Sequence, residues 1–330
     1  MSSDTSGEAS IIEKLSAGYL DRVASDVVAV NSVDNLREFE EVARQLDLPC
    51  DNLLLSGLPL LPAEPAPMAT GPIRTVLFAD QPTIPGALWD RAYLYLRLID
   101  YAKAHPLRRV LLKPRHRPEE GTFHVMQDHP ESVLSRLGPL PANLEVIYDS
   151  ITTLLPTTDV MLTVSSTAGL EAIGHGVRTV FVGDLGIHEK HGNQVLLRSG
   201  LIASFDEVIA DRLPQPSQEW LADMFIGHGA SPVTRIVDRV TELAALPPTQ
   251  RPAHAVAQSS YLRERIAVRS RREQLPAIAR DPSGTAGPGG RRLVAILMPV
   301  VVRAELLLRA LLPGTWYRAA LGLWRRLSVA

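Results

Sequence analysis

Val160-Met161-Leu162-Thr163-Val164-Ser165-Ser166-Thr167-Ala168-Gly169-Leu170-Glu171-Ala172 runs from an apolar strand straight into hydroxyls and small residues that open a helix. A helix start leaves several backbone N–H groups without intrahelical partners, and the macrodipole adds partial positive charge there. With the hydroxyls of Ser165, Ser166 and Thr167 these groups converge on one point, which reads as a phosphate seat. Gly169 is expected to let a ligand approach closely, and Glu171, one turn later, to hold ribose or sugar hydroxyls. The same triplet also suits an ordinary βα cap, because Ser and Thr are favoured at the N-cap for their own sake.

Outward from this stretch the chain alternates. Strands are read at Thr75 to Ala79, Arg109 to Lys113, Leu144 to Tyr148, Val160 to Val164 and Arg178 to Val182. Helices are read at Ala87 to Ala104, Ile151 to Pro156 and Thr167 to Gly174, and a long polar connection follows Lys113. Such alternation predicts an α/β fold with a doubly wound, parallel, Rossmann-like sheet, whose ligands lie at the carboxyl ends of the strands. Each strand ends in a polar cluster. These are Asp80-Gln81-Pro82, Lys113-Pro114-Arg115-His116-Arg117-Pro118, Asp149-Ser150, Ser165-Ser166-Thr167 and Gly183-Asp184-Leu185-Gly186. Strand ends also need polar turns structurally, so the shared edge is the signal and not any single cluster. The second cluster packs Lys113, Arg115, His116 and Arg117 into five positions. Arg offers a planar fork for phosphate oxygens, Lys a point charge, and His a donor that a nearby anion readily protonates.

Before this sheet, the head reads as a helix, a strand from Asp26 to Asn31, a helix from Val33 to Leu46 and a strand from Asn52 to Leu55. One βαβ piece cannot close a sheet of its own. Residues 1–62 are therefore read as a partial N-terminal piece, 63–72 as a proline-stiffened linker and 73–246 as a ligand-binding Rossmann-like domain, closed by helices between Ser217 and Leu246. Residues 247–290 follow as an Arg-rich helix and a flexible linker, and 291–330 as amphipathic helices.

The whole chain has 330 residues and a formal net charge of −2, but residues 251–330 carry fourteen Arg, no Lys and four acids, a net +10. A uniform nucleic-acid binder is excluded by this asymmetry, and an appended basic module is expected. The single Cys50 rules out an intrachain disulfide framework and fits a reducing compartment. Met1 to Ser10 is small, polar and acidic, so no secretory signal is read. Neither G-x-G-x-x-G after a strand nor G-x-x-x-x-G-K-[ST] occurs, which removes the usual nicotinamide and P-loop readings. His188-Glu189-Lys190-His191 lacks H-E-x-x-H spacing, and Ser165 and Ser166 lack a G-x-S-x-G elbow. Neither metal nor cofactor is expected.

From Thr75 to Gly200 the chain resembles the C-terminal, donor-binding domain of GT-B glycosyltransferases, especially bacterial capsule and polysaccharide enzymes of the polysialyltransferase and Kdo-transferase kind. Lys113-Pro114-Arg115-His116-Arg117-Pro118 looks like that group's His-Pro-type motif, although no Pro directly follows His116. Ser165-Ser166-Thr167-Ala168 with Glu171 looks like its Ser-Ser/Thr motif, and Asn193 with Ser199-Gly200-Leu201 like its stretch after the fifth strand. Val27 to Leu61 resembles the end of the N-terminal GT-B domain. The resemblance implies that Gln81, Lys113, Arg115, His116, Ser165, Ser166, Thr167 and Glu171 bind a nucleotide-sugar donor, CMP- or UDP-linked. It further implies a polysaccharide or glycolipid acceptor. Alternatives are a CDP-glycerol-type glycerophosphotransferase and a non-catalytic, membrane-associated remnant, because most of the N-terminal domain is not in the sequence. In residues 291–330, Leu293 to Val302 is apolar for ten residues, and Trp316, Tyr317 and Trp324 lie among Leu and Arg. Ten residues are too few for the roughly 20 of a spanning helix. An Arg-edged apolar face fits an anionic membrane surface, and hence a cytoplasmic protein peripheral at the inner face of the cell membrane.

Overall fold

The computed structural model describes residues 18–48, 50–120, 126, 128–226 and 230–247. In chain order its strands are β1 (Val28–Val30), β2 (Leu53–Leu55), β3 (Thr75–Ala79), β4 (Arg109–Lys113), β5 (Leu144–Val146), β6 (Val160–Thr163), β7 (Arg178–Val182) and β8 (Ile202–Ala203). Its α-helices are α1 (Val33–Gln45), α2 (Leu88–Ala104), α3 (Pro130–Leu134), α4 (Ile151–Leu154), α5 (Thr167–Gly174), α6 (Phe205–Ile209), α7 (Gln218–Met224) and α8 (Pro232–Ala245). The chain forms two compact units, one holding the described residues before Asp80 and after Tyr148, the other running from Asp80 to Tyr148. Within both, the paired strands are parallel. The fold is the mixed α/β class that the alternation predicts.

In the first unit β3, β6, β7 and β8 lie side by side, with Val76 opposite Val160, Val160 opposite Arg178 and Phe181 opposite Ile202. Val76, Leu77, Phe78, Val160, Met161, Leu162, Val180 and Phe181 are all buried, as expected for parallel strands covered on both faces. A second pair, β1 and β2, matches Val28 with Leu53 and Val30 with Leu55. Its helix α1 starts at Ser32, whose hydroxyl accepts from Asn35 N at 3.1 Å, and its Asp34 N–H reaches the Asp223 carboxylate of α7 at 2.7 Å. Burial raises the Asp223 carboxyl above its ordinary value, against the pull of Arg198 and the helix-start N–H groups. The Pro-rich stretch read as a linker lies against the far end of α5: Ala66 N donates to Gly174 O (2.9 Å) and Ala69 N to Gly176 O (2.8 Å). Leu61 enters a cluster with Leu170, Ile173, Phe181, Leu196, Leu201, Trp220 and Phe225.

In the second unit β4 and β5 pair with Val110 opposite Leu144. Helix α2 is buried on nearly every side, from Arg91 through Ile99 and at Tyr101 and Ala102, although Arg91 and Arg97 lie within it. The connection after Lys113 is not wholly irregular. It contains α3, which starts because His129 caps it and Pro130 at its first position has no N–H to leave unsatisfied. Three further boundaries differ from the sequence reading. The helix read to Pro156 is one α-turn, Ile151–Leu154, continued as a 3-10 turn over Leu155–Thr157, since Pro156 cannot donate. Strand β8, two residues long, is too short to show a period. The closing helices separate into α7 and α8, capped by Ser217 and Ser231. The Arg-rich helix and the amphipathic helices read beyond residue 247 lie outside the described residues.

Candidate functional site

In the first unit the hydroxyls at the end of β6 and after it are placed differently. Thr163, fully buried, donates to Ala79 O at 2.9 Å and accepts from Ser166 N at 3.4 Å, which fixes the turn out of the strand. Ser165 Oγ donates to His191 O at 2.5 Å, tying the turn to the segment after β7. Ser166 has the extended backbone of an N-cap (φ −70, ψ 141), and its Oγ accepts from Ala168 N at 3.2 Å. Thr167, first residue of α5, is exposed. Of the predicted phosphate-binding triplet, then, one hydroxyl anchors a loop, one caps the helix and one belongs to an exposed residue at the positive end of the dipole. Glu171 is half-buried one turn further on.

Gly169 does not leave room for a ligand, contrary to the sequence expectation. A Cβ there would lie 2.6 Å from Phe181 Cε1 and 3.2 Å from Thr163 Cγ2, so the missing side chain lets α5 press against β7. The segment after β7 closes on itself: the buried Asn193 side chain accepts from His188 N (2.9 Å) and donates to Gly186 O (3.0 Å). Asp184 accepts from Phe205 N at 2.9 Å, and buried Ser199 from Leu201 N at 3.0 Å, so these polar residues support backbone. The rings of His188 and His191 meet edge to face at 6.2 Å, and no metal-type cluster of three side chains occurs among the described residues.

In the second unit the turn that carries Gln81 is held from beneath. Arg91 sends Nη1 to Asp80 Oδ2 (2.7 Å) and Nη2 to the carbonyls of Gln81 (2.8 Å), Pro82 (3.0 Å) and Pro85 (3.0 Å). Tyr95 Oη donates to Asp80 Oδ1 at 2.9 Å. Burial pushes the Asp80 carboxyl up to about 6, with Arg91 and Tyr95 opposing the rise. Asp80 N donates to Lys113 O at 2.9 Å, so the Gln81 turn and the basic turn after β4 are neighbours.

The basic turn also divides its side chains. Arg115 and Arg117 are exposed, Lys113 is half-buried with Nζ 3.2 Å from Pro114 O, and His116 is buried. His116, read as a phosphate donor, commits Nδ1 to Arg117 O at 2.8 Å, while its own carbonyl accepts from His129 Nε2 at 3.1 Å. His129 Nδ1 accepts from Glu131 N at 3.3 Å, which fixes the tautomer with the proton on Nε2. Tyr148 stacks on His129 (6.3 Å between centroids, 18° between planes), donates to Glu131 Oε1 at 2.7 Å and carries Arg117 over its ring at 4.4 Å. Sequence reasoning missed Arg91, Tyr95, His129, Glu131 and Tyr148 as parts of these supports. Two signals were available: an Arg at the head of the apolar run from Ala92 to Leu96, and a His directly before a Pro that opens a helix.

Parallel strands alternating with helices, with cations following β4 and hydroxyls following β6, define a Rossmann-like α/β protein. A model of the protein family described as "Putative glycosyltransferase (DUF6716)" matches residues 6–243, and the chain belongs to this family. Among solved structures it is similar to CalG4, the calicheamicin glycosyltransferase (17% identity, covering 68% of this chain and 53% of that chain, TM-score 0.43). It is similar also to the UDP-GlcNAc 2-epimerase from Neisseria meningitidis bound to UDP-GlcNAc (11% identity, 66% and 62% covered, TM-score 0.39). A third is Thermosulfurimonas dismutans KpsC, a beta Kdo 2,4 transferase (16% identity, 48% and 54% covered, TM-score 0.24). The chain spans 53% to 62% of the length of these three proteins. No curated protein matches it.

Proposed function

We propose that the chain is the donor-binding part of a GT-B glycosyltransferase of the bacterial capsule and polysaccharide kind, using a CMP- or UDP-sugar for transfer to a surface polysaccharide or glycolipid. The observation that carries the reading is the start of α5, where Ser166 caps the helix and Thr167 stands exposed at its positive end, in a chain of a glycosyltransferase family. The Thr167 hydroxyl and the helix-start N–H groups suit a donor phosphate, and Glu171 suits hydroxyls of the donor. In the second unit Lys113 and Arg115 provide the positive charge that a departing nucleotide requires, on a turn already held in place by Asp80 and His129.

Calorimetry with CMP, CDP, UMP and UDP tests this reading. At least one should bind more tightly than about 1 mM, roughly −4 kcal/mol. Thr167→Ala should weaken that ligand by about 1.5–3 kcal/mol, the range for a hydrogen bond to a charged group, without the loss of a cap that Ser166→Ala would add. Absence of binding by all four nucleotides rejects the donor reading.

The same proposal places residues 291–330 on an anionic membrane surface. No described helix is long and apolar enough to cross a membrane. Full-length protein should co-sediment with vesicles containing anionic lipid, and a chain ending at Gly290 should not. Salt should weaken binding only in part, because exposed charges are screened beyond roughly 10 Å at 0.1 M while the apolar contribution of Trp316 and Trp324 is not. Equal partitioning of the two chains would remove the tail from this role.

A further inference from the structure

Arg117 is exposed, yet its guanidinium lies over the Tyr148 ring at 4.4 Å. Its backbone is tied at both ends, N to Glu120 Oε2 at 2.9 Å and O to His116 Nδ1 at 2.8 Å. The ring beneath is fixed as well, through its hydroxyl on Glu131 and its face on His129, and His129 is itself held through both nitrogens. The guanidinium of the exposed Arg117 thus sits over a ring that is itself stacked on His129. A planar cation held over a ring on an exposed residue offers a surface for an unstacked base: bases stack on Arg guanidinium planes as they do on aromatic rings. The turn that presents this plane also carries Lys113 and Arg115, the charges that a phosphate needs.

We infer that Arg117, supported by Tyr148, is the stacking platform for the base of the donor nucleotide, a contact that separates nucleotides from inorganic anions by adding a planar ring to the anion suited by Lys113 and Arg115. This rests on the donor-nucleotide reading above. Tyr148 itself is not the platform, since Arg117 covers it. The base is gripped by its face and not by its edge, so cytidine and uridine nucleotides should differ little at this contact.

The test is calorimetry on the full chain with UMP, CMP and inorganic pyrophosphate, comparing wild type with Arg117→Lys and Tyr148→Leu. Arg117→Lys keeps the charge and loses the plane. It should weaken the nucleotides by about 5- to 160-fold, the range for losing a stacked base, and leave pyrophosphate within about twofold. Tyr148→Leu, which removes the support, should lower nucleotide affinity in the same direction. Wild-type affinity of Arg117→Lys for both nucleotides overturns the platform alone, as does an equal loss for nucleotides and pyrophosphate. Failure of wild-type protein to bind any nucleotide overturns the donor reading and this inference with it.

Discussion

Replacing Arg91 with Met should destabilise the protein by about 3–5 kcal/mol, the cost of leaving one member of a buried ion pair without the other. Both side chains are almost wholly inaccessible, at 2% and 1%, so water cannot take over the role of the lost guanidinium. The substitution also strips the carbonyls of Gln81, Pro82 and Pro85 of their donor. Urea unfolding should show the loss as a midpoint shift of about 1–5 M, for slopes of about 1–3 kcal/mol per M. The penalty should grow with pH. Asp80 already titrates at about 6 in the folded chain because of burial, against 3.8 ordinarily, so its folded form binds the proton more readily than its unfolded form. Its contribution to stability therefore falls as pH rises from about 4 to 6. Without Arg91 the folded value rises further and the decline continues to higher pH. The difference between wild type and Arg91→Met should be larger at pH 8 than at pH 5, and a difference under about 1 kcal/mol, or one flat in pH, would reject this account of the pair. Asp80→Asn combined with Arg91→Met should cost less than the sum of the two changes, as contacting residues do.

Gly176→Ala should cost about 2–5 kcal/mol. Two effects combine there. The residue has φ +74, a region that costs an L-residue about 1–2 kcal/mol. Its added Cβ would also lie 2.4 Å from Pro67 O and 3.3 Å from Ala66 Cβ, backbone and a short side chain that cannot swing away. Overpacking of this kind costs about 1–3 kcal/mol. Gly138→Ala separates the effects, because Gly138 has φ +102 and nothing within 4 Å of a Cβ, so only backbone strain is introduced. Thermal and urea unfolding of both variants should rank Gly176→Ala as clearly the more damaging. Equal costs would mean that the Pro-rich strap moves aside freely and does not brace the end of α5.

Much of the framework was legible because of how parallel strands are buried. Thr75–Ala79, Arg109–Lys113 and Arg178–Val182 are short, nearly continuous apolar runs, bounded by turn residues, and the structure places β3, β4 and β7 at those bounds. Helix α5 was equally readable, since Ser166 supplies a cap and Gly174 ends an apolar stretch. The short elements were not. Strand β8 exists because Phe181 N and Gly183 N find the carbonyls of Leu201 and Ala203, a pairing that no local period announces. Helix α3 depends on a capping His in place of the usual hydroxyl or amide.

The candidate residues divide in the same way. Local sequence by itself determined that hydroxyls follow β6, that cations follow β4 and that both stand at carboxyl ends of parallel strands, because strand period, helix caps and turn chemistry act over a few neighbouring residues. Only the tertiary structure decided what each side chain does. Ser165 bonds a carbonyl 26 positions away, and Asp34 N–H a carboxylate 189 positions away. Gly169 admits the Phe181 ring in place of a ligand, Arg91 turns inward to Asp80, and the Arg117 guanidinium sits over the Tyr148 ring. Each of these outcomes depends on which distant group the closed fold brings within about 4 Å, the range over which packing and hydrogen bonding act.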